Sequence, residues 1–326
     1  MKVFVTGATG FLGSHVVQQL KTEGHDVRAL ARKTSDTRLL RELDVEIVEG
    51  SVSDDRALRR AVEGVDAVVH SAGATKVRRL QEFEEINGDG TRRLVAAVLD
   101  AAPSVRRFVY VSSMAAMGGN DGERPVRADD EPRPPTAYGQ SKLSGERHAL
   151  AAKDRIPVTV FRPTGIYGPR DTELFKQFLS IKRGLAASHG DGKSVVSLVY
   201  GPDCADAIIK AIQVDHPSGR VYLISDGQPY TMDEMLDVFG DAVGRRGLRV
   251  RFPYAVLSAV FRANELVGAL TRQPTMLRAD KVNEVRTRNW HLDISPLREE
   301  LGWEPRTPLR EGTRITYEWY RREGWL

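Results

Sequence analysis

In the first half of the chain, apolar positions come in short, nearly continuous runs, each followed by a longer amphipathic stretch. KVFVTG (2–7) opens the series, and a helical pattern follows from Phe11 to about Gly24. HDVRALAR (25–32), DVEIVEG (44–50) and VDAVVHSAG (65–73) repeat the strand signal, and a long helix is expected from about Glu82 to Ala102. RRFVYVSS (106–113) gives a fifth strand, residues 139–153 a helix, and IPVTVFRP (156–163) a sixth strand. Strands that are apolar on both faces belong in a parallel sheet covered by helices on both sides. The repetition predicts an α/β fold, a Rossmann-type doubly wound parallel sheet.

After Pro163 the pattern changes. Helical segments dominate, with short strands expected at SVVSLVY (194–200) and RVYLIS (220–225). The expected organisation is a nucleotide-binding domain of residues 1–163 plus elements near 195–225. A smaller, mostly helical C-terminal substrate domain, 164–194 and 226–326, is interleaved with it. FPYAVLSAVFRANELVGAL (252–270) carries Arg262, Asn264 and Glu265, so it is expected to be a buried or docking helix rather than a membrane span. NDGERPVRADDEPRPPT (120–136) is a long, polar, proline-rich connection of a kind that often carries function.

Composition adjusts this picture only slightly. A chain of 326 residues can bury a large core. Its net charge of +4 is spread along the chain without a block of like charges, so nucleic acid is not an expected partner. The single cysteine, Cys204, excludes an intrachain disulfide. The opening apolar run is short and broken by glycines, unlike a signal peptide, and the expected location is cytoplasmic. The seven histidines show no ligand spacing, so no metal is expected.

Two motifs carry chemistry. TGATGFLG places Gly7, Gly10 and Gly13 where the first strand meets the first helix. Glycines there make the tight turn, let the backbone approach a pyrophosphate, and let helix and strand pack closely. TAYGQSKLSGE (136–146) places Tyr138 four residues before Lys142, on one helical face. A free phenol is a poor base at neutral pH, and a nearby ammonium and a helix N-terminus are expected to lower its pKa.

Taken in order, TGATGFLG, HSAGA (70–74), INGDGT (86–91), VYVSSMAAMGG (109–119), YGQSK (138–142), RPTGIYGPRD (162–171) and ELGWEPRTPLREG (300–312) resemble the short-chain dehydrogenase/reductase superfamily. The resemblance is to its extended branch, the NAD(P)-dependent epimerase/dehydratase family, and covers nearly the whole chain. It implies Ser113, Tyr138, Lys142 and Asn87 as the catalytic set: Tyr138 as general acid/base, Ser113 orienting the substrate oxygen, Lys142 tuning Tyr138 and holding the cofactor. Ser112 stands beside Ser113 as an alternative, and the NGDG context of Asn87 equally suits a helix cap or turn. The resemblance implies cofactor contacts from Gly7, Thr9, Gly10, Phe11, Leu12, Gly13, Ser71, Ala72, Gly73, Tyr138 and Lys142. Pro163, Thr164 and Ile166 fall at the nicotinamide, and Ser51 and Val52 beside the adenine, where Ser51 replaces a frequent Asp. Arg162 suits an ion pair, and Asp203 a helix cap.

An NAD site would call for a carboxylate at the end of the second strand; here stand Arg32 and Lys33. A guanidinium suits a 2′-phosphate, so NADP(H) is the preferred cofactor, with NAD(H) possible. The tail, through QPTMLRADKVNEV (273–285) and WHLDISPLREELGW (290–303), resembles the dihydroflavonol-reductase and hydroxysteroid-dehydrogenase-like members more than nucleotide-sugar epimerases. The implied function is an NADP(H)-dependent oxidoreductase acting on a small-molecule carbonyl or alcohol. One alternative is a nucleotide-sugar epimerase or dehydratase that retains NAD, against which Arg32 argues. Another is a non-catalytic NADP-sensing or scaffold protein, against which the intact Ser113, Tyr138 and Lys142 argue. A homodimer through the helices at 82–102 and 139–153 is expected, and no membrane partner.

Overall fold

The computed structural model describes residues 1–271, 273–275 and 278–326. Met276 and Leu277 of the QPTMLRADKVNEV stretch therefore lie outside the described residues. Seven strands form one parallel sheet. Six are β1 (Lys2–Thr6), β2 (Asp26–Ala31), β3 (Glu46–Glu49), β4 (Ala67–His70), β5 (Arg107–Val111) and β6 (Val158–Pro163), and the seventh is Arg220–Ile224. From one edge the order is Arg220–Ile224, β6, β5, β4, β1, β2, β3. The order reverses between β1 and β4, which leaves a crevice at the carboxyl ends of those strands.

Period-two alternation divides the core into two layers. Val3 and Val5 of β1 pack with helix α1 (Phe11–Thr22) and helix Gly201–Gln213 in one apolar cluster. Phe4, between them, belongs to the other cluster, with Leu58, Val95 and Phe108. The runs are rich in apolar residues at both odd and even positions because the strands feed both layers.

The six expected strands are present. RVYLIS joins the same sheet, pairing in parallel with β6 from Arg220↔Thr159 to Ile224↔Pro163. SVVSLVY is not one strand: Val195–Val196 pairs with Tyr230–Thr231, and Leu198–Tyr200 with Gly165–Tyr167. Leu185–His189 and Leu248–Phe252 form a further parallel pair that the sequence reading missed. Helices Phe175–Lys182, Met232–Val243 and Leu309–Arg322 gather around a third apolar cluster, where Phe178 stacks on Phe239 at 4.6 Å.

Two local expectations change, and a third segment is seen to be held in place. The helix expected at 139–153 spans Ala137–Leu150, because Thr136 caps it by accepting from Gly139 N at 3.1 Å. Tyr138 therefore lies in its first turn. The helix Tyr254–Thr271 is not buried: Phe261 alone is buried, while Val256, Val260, Leu266, Val267 and Leu270 are exposed. The loop at 120–136 is pinned by buried Asn289, whose Nδ2 donates to Asn120 Oδ1, Gly122 O and Arg124 O at 2.8–3.1 Å. Among the described residues no helix is long and apolar enough to cross a membrane.

Candidate active site

Gly7 has φ +72°, and a Cβ there would lie 2.6 Å from Ala72 N and 2.7 Å from Ser71 C. The turn after β1 thus presses directly on the loop after β4, and only glycine fits. A Cβ on Gly13 would lie 2.1 Å from the Gly7 carbonyl oxygen, so helix and turn are in close contact. Helix α1 starts after Gly10 with no side-chain cap and no acidic residue in its first turn. Its first amides are left for an anion, which fits a pyrophosphate.

Thr9, Gly10 and Phe11 border a cavity of about 400 Å³ that also takes in Ser14, Asp36, Arg38 and Arg170. Leu12 and Gly13 are buried in the helix packing instead. Arg32 and Lys33 follow β2, exposed and without an ion pair among the described residues. Arg38, which the sequence reading passed over, stands at this cavity in a bidentate pair with Asp36, Nη2 to Oδ2 at 2.6 Å. Its separation from the strand end offered no signal. Ser51 Oγ bonds Ser53 Oγ at 2.7 Å, and Val52 packs against Gly90, where a Cβ would lie 2.8 Å from Val52 Cγ2.

A buried chain of hydrogen bonds links this turn to Asn87. Thr6 Oγ1 accepts from Ala72 N at 3.1 Å and meets His70 Nδ1 at 2.6 Å. His70 Nε2 meets Thr91 Oγ1 at 3.0 Å, and Thr91 Oγ1 donates to the Asn87 carbonyl at 2.6 Å. Since Thr91 gives its proton to Asn87, His70 Nε2 must be the donor and Nδ1 the acceptor from Thr6. Burial pushes His70 down to about 3, with Lys142 adding to the effect.

Asn87 lies in a π-helical turn, Glu84–Gly88, inside one continuous helical run from Gln81 to Ala101. Such turns are frequent at functional sites. Asn87 is thus mid-helix and not a helix cap. Its Oδ1 accepts from Ala74 N at 2.7 Å, and its Nδ2 donates to Ala74 O at 3.1 Å and to Ser141 Oγ at 2.9 Å. Ser141 Oγ donates to the Tyr138 carbonyl at 2.7 Å. Asn87 therefore fastens the loop after Gly73 to the Tyr138 helix, and a Cβ on Gly73 would lie 3.2 Å from Asn87 Oδ1 and 3.5 Å from Lys142 Nζ.

Ser113 follows β5 and caps the short helix Met114–Met117, accepting from Ala115 N at 3.1 Å. It borders the same cavity as Tyr138 and lies near enough to lower the pKa of its phenol. Ser112 is buried and donates to Glu146 Oε1 at 2.5 Å, so it does not substitute for Ser113. Lys142 is buried; its Nζ donates to the Val111 carbonyl at 2.7 Å and sits 4.5 Å from the Tyr110 ring centroid. Burial pulls Lys142 down to about 7, against the Glu146 carboxylate.

The expected lowering of the Tyr138 pKa does not occur in the protein alone. Burial pushes Tyr138 up to about 12; the neighbouring Ser113 hydroxyl lowers it and the Glu284 carboxylate raises it. Desolvation of the phenolate outweighs the other effects, and Lys142 is not among the groups that shift it. In this state the Tyr138 phenol is protonated at neutral pH.

Tyr138 and Ser113 open onto a cavity of about 700 Å³. Pro163 and Thr164 border it; Ile166 instead packs against the core around α1. Most of the remaining wall is apolar, including Met114, Leu174, Val196, Leu198, Met232, Met235, Phe252, Leu257, Phe261 and Trp290. Lys281, the only lysine or arginine among its described lining residues, is paired with Glu284 at 2.6 Å. Arg162 forms the expected ion pair, with Glu146. Asp203 is not the cap of its own helix: it accepts from Arg306 N and Thr307 N at 3.0 and 2.8 Å, holding the tail segment.

Comparison with known proteins shows the family and the fold. The sequence model of the NAD dependent epimerase/dehydratase family matches residues 3–225. The chain is 32% identical to a ceramide reductase of Caulobacter vibrioides, over 99% of this chain and 96% of that protein. It is 29% identical to a 2-alkyl-3-oxoalkanoate reductase of Stenotrophomonas maltophilia, over 96% and 98%. Among solved structures it is similar to MoeE5 in complex with UDP-glucuronic acid and NAD, with TM-score 0.80, 26% identity, and 99% and 100% coverage.

Proposed function

Because this chain belongs to the NAD dependent epimerase/dehydratase family, as an NAD(P)-dependent enzyme of the short-chain dehydrogenase/reductase type, we propose that it is an NADP(H)-dependent reductase of a carbonyl on an uncharged, largely apolar small molecule. The observation that carries this reading is the wall of the larger cavity: apolar, with its single described lysine already paired to Glu284. A nucleotide sugar brings a pyrophosphate, which calls for an unpaired arginine or lysine. Two relatives bear the names of reductases, and this supports the same chemistry.

When bound, the nicotinamide supplies the hydride. Tyr138, protonated with its pKa near 12, delivers the proton to the reduced oxygen as general acid. Ser113 Oγ orients that oxygen beside the phenol. Lys142, at the Val111 carbonyl, offers its remaining protons to the cofactor. Arg32 and Lys33, exposed at the end of β2 and without an ion pair among the described residues, favour a 2′-phosphate and hence NADP(H) over NAD(H). Residues 164–194 and 226–326 act as the substrate domain. We assign the protein to the cytoplasm as a homodimer through helices Gln81–Ala101 and Ala137–Leu150; light scattering tests the dimer.

The purified protein, incubated with NADPH and a panel of apolar ketones, should oxidise NADPH with at least one of them and prefer NADPH to NADH. Retention of tightly bound NAD, with NADPH consumed by no ketone, would falsify this reading in favour of an epimerase or dehydratase.

A further inference from the structure

We propose that helix Tyr254–Thr271 docks on the surface of an anionic phospholipid bilayer, lying along one leaflet with its exposed apolar face among the headgroups and upper acyl chains. The proposal concerns where the protein sits and is independent of the reaction it catalyses. It departs from the sequence expectation of no membrane partner.

Apolar residues occupy most of the circumference of this helix, which suits a helix covered on both sides. Its inner side is covered: Phe261 is buried, and Leu257 and Phe261 border the cavity that holds Ser113 and Tyr138. Its outer side is bare. Leu270 is 76%, Leu266 62%, Val267 55% and Val260 51% exposed, and Val256 is exposed with them. At about 100° per residue these five fall within a sector of about 120°. The other exposed positions of the helix are alanines, Thr271 and Arg262.

The helix is anchored from behind. Glu265 accepts from Arg278 Nη2 at 2.8 Å and from Ala279 N at 3.1 Å. The Gly268 carbonyl accepts from Gln273 N at 3.1 Å, and Asn264 Nδ2 donates to Thr275 Oγ1. Helix Lys281–Arg286 packs against it.

Charge selects the occupant. From Phe252 to Arg286 the exposed charged residues among those described are Arg262 and Arg286, and neither has an ion pair among the described residues. The acids of that stretch are half-buried and engaged: Glu265 by Arg278, Asp280 by Ala137 N at 2.8 Å, and Glu284 by Lys281. An apolar face accompanied by arginines and by no exposed acid matches an interfacial helix on an anionic lipid surface.

Size argues against a second copy of the chain. A helix of 18 residues is about 27 Å long and about 10 Å wide, so one face offers roughly 300 Å². Each partner of a specific dimer buries about 800 Å². A bilayer sets no such minimum, because its interface covers whatever apolar surface is lowered into it. Docking this way also brings the apolar cavity, which shares this helix as a wall, to the leaflet.

The test is flotation of the full chain with vesicles of phosphatidylcholine alone and of phosphatidylcholine mixed with phosphatidylglycerol. Wild type should bind the mixed vesicles about tenfold more tightly than the neutral ones. Leu266→Ser/Leu270→Ser should weaken that binding by about tenfold or more, and Arg262→Gln by about fivefold. These positions are exposed, so both variants should keep the thermal midpoint of wild type. A polarity-sensitive dye on Val267→Cys, with Cys204 buried out of reach, should shift to shorter wavelength when mixed vesicles are added. The dye reads an otherwise unaltered chain, so it decides the matter even if the double variant misfolds. The proposal is overturned if wild type binds neither vesicle, if it binds both equally, if the folded double variant or Arg262→Gln binds as wild type does, or if the dye does not shift. Light scattering reads the other occupant. A dimer that Leu266→Ser/Leu270→Ser breaks, without vesicle binding by wild type, assigns the face to a second copy and overturns the proposal.

Discussion

Arg162 grips Glu146 through two hydrogen bonds, Nη2 to Oε2 at 2.7 Å and Nε to Oε1 at 2.9 Å, with both side chains buried. Glu146 lies one helical turn beyond Lys142, Ser112 donates to the same Oε1, and Arg162 precedes the cavity residues Pro163 and Thr164 on β6. One ion pair therefore joins the Tyr138 helix, the end of β5 and the end of β6. Removing one partner strands the other charge in the core. Arg162→Met should cost about 3–5 kcal/mol in urea denaturation, and adding Glu146→Met should recover most of that loss. A single variant as stable as wild type would deny the pair this role.

Tyr138→Phe keeps the ring that packs edge-on against Phe83 and removes only the hydroxyl. It should reduce kcat by about 10²–10⁴-fold while leaving NADPH affinity nearly unchanged. A variant that turns over as fast as wild type removes Tyr138 from the chemistry.

Glu284 supplies a second test of the same proton. Its carboxylate and burial both hold the phenol protonated. Reduction uses that form, but the reverse oxidation of an alcohol needs phenolate and should gain rate as pH rises. Glu284→Gln removes one obstacle to ionisation, so the rising limb of alcohol oxidation should move to lower pH. If the limb stays in place, the charge of Glu284 does not act on Tyr138.

Arg32→Ala should weaken NADPH binding by about 10–100-fold, the worth of a charge-assisted hydrogen bond, and change NADH binding by less than about twofold. An unchanged preference measured by fluorescence titration would leave Arg38, at the cavity beside Thr9 and Gly10, as the cation to test next.

Strands β1–β6 were legible as short runs rich in apolar residues between helical patterns, and the glycine-rich turn because Gly7 has a backbone and a contact that no other residue tolerates. Arg220–Ile224 was legible as a strand, but the segment between Pro163 and it was not. Val195–Val196 and Leu198–Tyr200 read as one run although they join different partners, since short strands take their pairing from distant segments. Leu185–His189 is only partly apolar and gave no strand signal. Tyr138, Lys142 and Ser113 could be named from motif order, but not the elevated phenol, because its desolvation and the Glu284 charge beside it depend on segments far away in the chain.

His15 and His70 make the protein sensitive to acid. His15 is buried, donates from Nε2 to the Pro169 carbonyl at 3.0 Å and accepts at Nδ1 from Arg170 at 2.7 Å. Burial first, and the Arg170 charge second, lower it to about 3. His70 is held near 3 by burial, its Nδ1 already filled by the Thr6 hydroxyl. Both titrate near 6.5 when unfolded, so between pH 6.5 and 3 the unfolded chain binds more protons and stability falls as pH falls. His189, His216 and His291 are shifted in the same direction by their own burial. Asp171 opposes them: its buried carboxyl, raised to about 6, takes up a proton in the folded state before the unfolded chain does. His15→Gln keeps a donor and an acceptor without titrating. It should flatten the acid limb by about 1.4 kcal/mol per pH unit between pH 6 and 4, as read from urea denaturation at each pH. Asp171→Asn should steepen the same limb by a similar amount, because it removes the opposing proton. Parallel limbs for wild type and both variants would show that neither group carries the linkage.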